Sequence, residues 1–230
     1  SPTMEDLMDL RDRGNLIGGR FVPGEGAKLS SHNPARDGEA VWQGPSASAA
    51  QADAAIAAAR RAFPGWSKTP LAERKDALLR LASTPAAKLD ELAHAISLEM
   101  GKPIRESKSE AQSLLAKVKA SVSAQERLPN LALDGAPGRA LWRQHGVMAV
   151  IGPSNYPIHL MSTHVAPALL AGNTVVLKPS RVTPLSGQIY AEIMHGLGLP
   201  DGVFNLVVGT REIGGNLVAH PDVDAVAFTG

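Results

Sequence analysis

The sequence predicts an α/β fold: a doubly wound parallel sheet with flanking helices, plus a projecting β-hairpin, incomplete at the C-terminus. Three observations lead there. From Val147 onward, short apolar runs alternate with helix-like stretches, the βαβ pattern of parallel sheets. Those runs are apolar almost throughout rather than at every second residue, as strands buried on both faces are. Between the helical first half and this series, Pro129, Asp134-Gly135 and Pro137-Gly138 supply turn signals among spaced leucines at 131, 133 and 141.

Taken in order, residues 15–45 read as short strands and turns. Leu16-Ile17-Gly18-Gly19-Arg20-Phe21-Val22 has β character about a Gly-Gly turn. Ala40-Val41-Trp42 is a further short strand after Asp37-Gly38. Four helices follow. Ser48 with Gln51 three residues later forms a capping box. The Ala-rich run from Ala49 to Phe63 is strongly helix-forming, and Pro64-Gly65 is expected to end it. Thr69 as N-cap and Pro70 at the first position open a second helix carrying Leu71, Leu78, Leu79 and Leu81. A third covers about residues 88–100 and stops at Gly101-Lys102-Pro103. A fourth runs from about 104 to 127, where Leu114, Leu115, Val118 and Val122 make a stripe that reads as core. Residues 128–146 form the hairpin. Strands at 147–151, 174–177, 203–208 and 223–228 then alternate with helices at about 158–170, 184–197 and 212–220.

Composition narrows the function. The chain has 230 residues with 44% hydrophobic, 20% charged and 4% aromatic residues and a formal net charge of +1. This is a globular composition with neither the basic face nor the stacking aromatics of a nucleic-acid binder. Without cysteine there is no disulfide framework, no thiolate metal site and no cysteine nucleophile within these residues. His159 and His164 are five apart, off the i,i+4 spacing of a helical metal pair, so no metal site is expected. No run is long and apolar enough to span a membrane. Ser1-Pro2-Thr3-Met4 does not open a signal peptide, so a cytoplasmic location is expected. Both ends of the chain read as cut.

Open parallel sheets bind ligands at the carboxyl ends of their strands. The loops that matter are therefore 152–157, 178–181, 209–214 and 229–230. No G-x-G-x-x-G follows the first strand, and the 209–214 loop lacks the Lys-Ser/Thr of a P-loop. Pattern alone stops at a nucleotide-type ligand.

The motifs go further. Gly152-Pro153-Ser154-Asn155-Tyr156-Pro157 sets an Asn between two prolines. Together with the run from Pro167 to Ser180 that contains Gly172-Asn173-Thr174-Val175-Val176-Leu177-Lys178-Pro179, it resembles the signatures of the aldehyde dehydrogenase superfamily. Leu199-Pro200-Asp201-Gly202, His220-Pro221-Asp222, Phe228-Thr229-Gly230, Glu99-Met100-Gly101-Lys102-Pro103 and Ala62-Phe63-Pro64-Gly65-Trp66 are similar to further family motifs in the family's order. Within the family, Asn33-Pro34, Val41-Trp42-Gln43-Gly44, His159-Leu160 and His164 look like the succinylglutamate-semialdehyde dehydrogenase group.

The resemblance implies NAD(P)-dependent oxidation of a semialdehyde-type aldehyde to a carboxylic acid by the complete enzyme, this chain being its cofactor-binding part. Residues 1–127 and 147–230 would form a partial domain for NAD or NADP, and 128–146 an oligomerisation arm. A homodimer or homotetramer is implied, with a small-molecule aldehyde as partner and neither nucleic acid nor membrane. A non-catalytic binding or assembly module built on the same fold is the alternative.

Residue by residue, the resemblance makes Asn155 the donor to the oxyanion of the tetrahedral intermediate. The other reading of Asn155 is the N-cap of the helix after Pro157. Lys178 would hold the adenosine ribose, or stand solvated at a strand end. Arg181 replaces the family's usual Glu, and since Arg cannot accept hydrogen bonds it either meets a 2′-phosphate or turns to solvent. Ile151, Pro153, Ser154 and Ser180 would wall the cofactor pocket, with Ser154 where many members carry an aromatic. Gly214 and Gly230 would admit close backbone approach, and Thr229 and Gly230 lead toward the pyrophosphate turn. The family's nucleophilic Cys and general-base Glu find no matching position here.

Overall fold

The computed structural model describes residues 9–128, 131–132 and 138–230. A central six-stranded sheet organises them. Its strands are β1 (Asn15–Ile17), β2 (Arg20–Val22), β7 (Val147–Ile151), β8 (Thr174–Lys178), β9 (Phe204–Leu206) and β10 (Ala225–Phe228), in spatial order β10-β7-β8-β9-β1-β2. β7 to β10 are mutually parallel and β1 and β2 add an antiparallel edge. The progression β7, β8, β9 runs one way, and β10 then returns to the other side of β7. The gap above β7 and β10 is therefore a topological switch point, where a crevice opens.

The helices α1 (Ala49–Lys68), α2 (Leu71–Leu79), α3 (Ala86–Met100), α4 (Ile104–Glu126), α5 (His159–Leu170), α6 (Pro184–His195) and α7 (Arg211–Ala219) cover both faces. On one face α1 and α7 bury Ala52, Ala55, Ile56, Ala59, Ile213 and Leu217 against Val147, Ala149, Val176 and Val207. On the other, α5 and α6 bury Met161, Val165, Leu169, Leu185 and Ile189 against Val150, Val175 and Leu177, backed by α3 and α4. Successive sheet residues thus serve opposite layers, as the two-residue strand period requires. That explains why the strands read as unbroken apolar runs. A separate ribbon pairs β3 (Lys28–His32) with β4 (Ala40–Pro45). The hairpin expected at 128–146 is present as β5 (Leu131–Ala132) paired antiparallel with β6 (Arg139–Ala140). Pro129, Leu133, Asp134-Gly135 and Pro137, which suggested it, lie outside the described residues.

Two boundaries differ from expectation. α1 does not stop at Pro64-Gly65 but continues to Lys68, with Pro64 inside it. Tertiary contacts carry the extra turn: Trp66 is buried and its indole N–H donates to the Leu169 carbonyl (3.0 Å). Thr69 accordingly does not open α2. Its backbone N–H and its hydroxyl both return to the Gly65 carbonyl (3.1 Å each), closing α1, and α2 has no side-chain cap. β9 and β10 are shorter than the apolar runs that contain them. In the α4 stripe Leu114, Val118 and Val122 are buried, and Glu110 is buried on the same face.

Candidate functional site

A cleft of about 420 Å³ opens at the carboxyl ends of the parallel strands. Ile151 and Gly152 from the end of β7, Lys178 from β8 and Phe228 from β10 form its floor, and Ser180 and Arg181 one rim. Arg211, Gly214, Gly215 and Val218 from α7 form the other rim. Of the residues singled out in the sequence, Ile151, Lys178, Ser180, Arg181 and Gly214 therefore meet in one place. Pro153, Ser154, Asn155, Thr229 and Gly230 stand outside its lining.

Lys178 is the chemical centre of the cleft. Its residue is only 5% exposed although it ends a strand, which removes the solvated-Lys reading. Its ammonium donates to the Pro179 carbonyl (3.1 Å), and among the described residues no carboxylate lies within salt-bridge distance. Burial first, and then the Arg181 cation, lower its pKa to about 8. An ammonium carries three donors, so a buried one donating to a single carbonyl has capacity left for a ligand. Gly214 lies against its stem: a Cβ there would sit 3.4 Å from Cε and 3.5 Å from Cδ.

The rim is set by a buried carboxylate from elsewhere. Glu99, near the end of α3, accepts from the first backbone N–H groups of α6, Leu185 (3.0 Å) and Ser186 (2.9 Å), and from the hydroxyls of Ser186 (2.7 Å) and Ser31 (2.8 Å). An anion at a helix N-terminus satisfies its orphan donors and its dipole. By fixing where α6 begins, Glu99 fixes the 179–183 turn and hence Ser180 and Arg181. Thr183 N–H closes that turn on the Ser180 carbonyl (3.1 Å).

The loop leaving β7 carries Asn155. Gly152 lets it pass, since a Cβ at that position would lie 2.3 Å from the Met161 sulfur. Pro153 is buried, Ser154 is half-buried, and Asn155 and Tyr156 are exposed. The reading of Asn155 as the cap of the next helix is corrected by the structure. The α5 N-terminus is capped by Glu110 from α4, whose Oε1 accepts from Ile158 N–H (2.9 Å) and His159 N–H (3.0 Å). The Asn155 side chain is thereby left uncommitted to capping. Thr229 extends the β10–β7 ladder by donating its backbone N–H to the Ile151 carbonyl (3.2 Å), and its hydroxyl lies 2.8 Å from His164 Nε2, facing α5.

Sequence reasoning missed three residues here. Arg211 had a usable signal: it is the first residue of a helix, where a cation opposes the helix dipole unless an anion is expected nearby. Glu110 had none, and Lys102, although part of the Glu99-Met100-Gly101-Lys102-Pro103 motif, gave no sign of its contact, because each acts across a long sequence separation.

A parallel sheet covered on both faces by helices, with a cation-lined cleft at its switch point, places the chain in the doubly wound α/β class. The model of the aldehyde dehydrogenase family matches residues 21–230, and this chain belongs to that family. It is 45% identical over 217 residues to an N-succinylglutamate 5-semialdehyde dehydrogenase of Vibrio cholerae, covering 93% of this chain and 44% of that one. An NAD-dependent aldehyde dehydrogenase of Sinorhizobium meliloti superposes with a TM-score of 0.91 at 33% identity, over 100% of this chain and 47% of that one. An NADP-dependent glyceraldehyde-3-phosphate dehydrogenase of Bacillus halodurans, complexed with NADP, does so at 0.87 and 30% identity, over 95% and 48%. The chain thus spans about half the length of the relatives it matches.

Proposed function

We propose that this chain is the cofactor-binding part of an NAD(P)-dependent aldehyde dehydrogenase that converts a semialdehyde-type substrate to a carboxylic acid. The observation that carries the reading is Lys178: buried and facing a cleft at the sheet's switch point, with two of its three donors unassigned and a glycine backbone packed on its stem. These features suit the adenosine ribose of a dinucleotide. Ser180 and Ile151 wall the same cleft, with Pro153 and Ser154 on the loop beside it. Gly214 admits close approach, and Thr229-Gly230 lead away from β10 toward the pyrophosphate. The dinucleotide would supply the hydride acceptor.

Arg181 and Arg211 on opposite rims, with Lys178 between them, make the cleft cationic. Three cations and no acceptor at the position of Arg181 favour a 2′-phosphate, hence NADP over NAD. Asn155, on the loop from the same strand, would donate its side-chain N–H to the substrate oxyanion. The semialdehyde assignment is supported by the Vibrio cholerae relative. The 128–146 hairpin would serve as the arm that joins subunits of a cytoplasmic homodimer or homotetramer, and 1–127 with 147–230 as the nucleotide domain.

With no cysteine among its 230 residues, this chain alone would not oxidise aldehydes. The thiolate and general base would come from protein outside it. Calorimetric titration with NADP and NAD tests the cofactor reading. Turnover of N-succinylglutamate 5-semialdehyde by a longer, cysteine-containing protein that includes these 230 residues tests the reaction. No binding of either dinucleotide to that protein would sink the reading. Incorporation of the 230-residue chain into full-length oligomers without turnover of its own would instead favour an assembly module.

A further inference from the structure

The loop that carries Asn155 is held by a group from the other end of the fold. Lys102 lies between α3 and α4, and its side chain is 13% exposed. The ammonium donates to Glu110 Oε2 at 2.5 Å and to the Asn155 carbonyl at 3.2 Å, and it sits 4.3 Å from the centroid of the Tyr156 ring. An ammonium has three donors, and here they meet a carboxylate, a backbone carbonyl and an aromatic face. Glu110, with a side chain only 1% exposed, takes the ammonium on one oxygen and the Ile158 and His159 N–H groups on the other. The pair therefore grips the loop on both sides of Tyr156-Pro157: at the carbonyl of residue 155 and at the amides of 158 and 159.

We infer that Lys102, seated on Glu110, is a positioning residue for the Asn155 amide: it fixes the backbone from which that side chain reaches the substrate oxyanion. The inference rests on the role given to Asn155 above. Asn155 is exposed and lies in neither a helix nor a strand, so its direction depends on what holds residues 155 and 156. Oxyanion stabilisation depends on donors already aimed at the developing charge, and a small misplacement of such a donor costs rate rather than binding. Lys102 does not line the cofactor cleft, and neither do Glu110, Asn155 and Tyr156, the residues its ammonium meets, so dinucleotide affinity should respond to it far less than kcat.

The test is a double-mutant cycle in the cysteine-containing protein. Lys102→Met keeps the stem and removes the charge. Tyr156→Leu removes only the ring beneath the charge and leaves Glu110 capping α5, so it remains informative if Lys102→Met folds poorly. Lys102→Met should lower kcat by about 10- to 100-fold, with Tyr156→Leu in the same direction and smaller, while the Kd of the dinucleotide stays within about twofold. In an Asn155→Ala background both should have little further effect on kcat, because the group they position is gone. Equal losses of kcat with and without Asn155 would overturn the inference, as would unchanged kcat in both single variants. If Asn155→Ala itself leaves kcat unchanged, the oxyanion reading fails and the inference goes with it. The Asn155→Ala arm thus separates the two failures.

Discussion

Replacing Glu99 by Gln keeps the size of a fully buried side chain while removing its charge, and the consequence can be worked out with its sign. Burial pushes the Glu99 carboxyl up to about 7 from its ordinary 4.5, against the pull of the donors from Ser186, Ser31 and Leu185. A raised carboxyl pKa means that the folded protein binds a proton more tightly than the unfolded chain does. The associated stability is therefore complete below pH 4.5, is lost as pH rises, and has gone once pH passes about 7. At about 1.4 kcal/mol per pKa unit, the displacement corresponds to about 3 kcal/mol across that window. Gln cannot titrate, so its variant should lack this slope. At pH 5 the variant should be the less stable by about 1–3 kcal/mol, since its amide NH₂ must oppose one pair of donors, such as the Ser186 N–H and hydroxyl, and that gap should close as pH rises toward 8. Urea unfolding read from the fluorescence of the buried Trp42 and Trp66, at pH values from 5 to 8, measures both. Every other titratable group is common to both proteins, so the difference between the curves isolates Glu99. A wild-type minus variant difference that is flat with pH would refute the account of Glu99 as a buried, burial-shifted cap.

The other predictions concern the cleft and its entrance. Lys178→Ala should weaken dinucleotide binding by about 10- to 100-fold, the range expected for charge-assisted hydrogen bonds, in calorimetric titrations. Because its pKa is lowered to about 8, Lys178 is charged below that pH and neutral above it, so dinucleotide affinity in wild type should fall as pH rises through about 8. In Arg181→Gln the repelling cation is gone and the midpoint of that fall should move upward. Arg181→Glu should shift the ratio of NAD to NADP affinity toward NAD by at least tenfold, and an unchanged ratio would assign the choice of cofactor elsewhere. Gly152→Ala places a methyl group 2.3 Å from the Met161 sulfur and should cost about 1–3 kcal/mol in urea unfolding, as overpacking does.

Much of this protein was legible in one dimension because local rules sufficed. Buried parallel strands must be apolar on both faces, so the runs at 147–151 and 174–177 declared both themselves and the layers above and below them. The Ser48/Gln51 capping box is a reciprocal contact within one turn, and the structure shows both of its hydrogen bonds. The rule that ligands gather at strand carboxyl ends pointed to the loops at 178–181 and 209–214, and the family resemblance named Ile151, Lys178, Ser180, Arg181 and Gly214, all of which line the cleft. Tertiary structure decided whatever depends on contacts between distant residues. Pro64 signals a helix end locally, yet the bond from Trp66 to Leu169, 103 positions away, holds the helix past it. Asn155 looked like a cap until Glu110, on another helix, took that place. The burial that lowers the Lys178 pKa, the capping of α6 by Glu99, and the seat of Lys102 beneath the Asn155 loop all have the same character. Each is a charged group whose state is set by the protein that surrounds it, and sequence spacing carries no record of those surroundings.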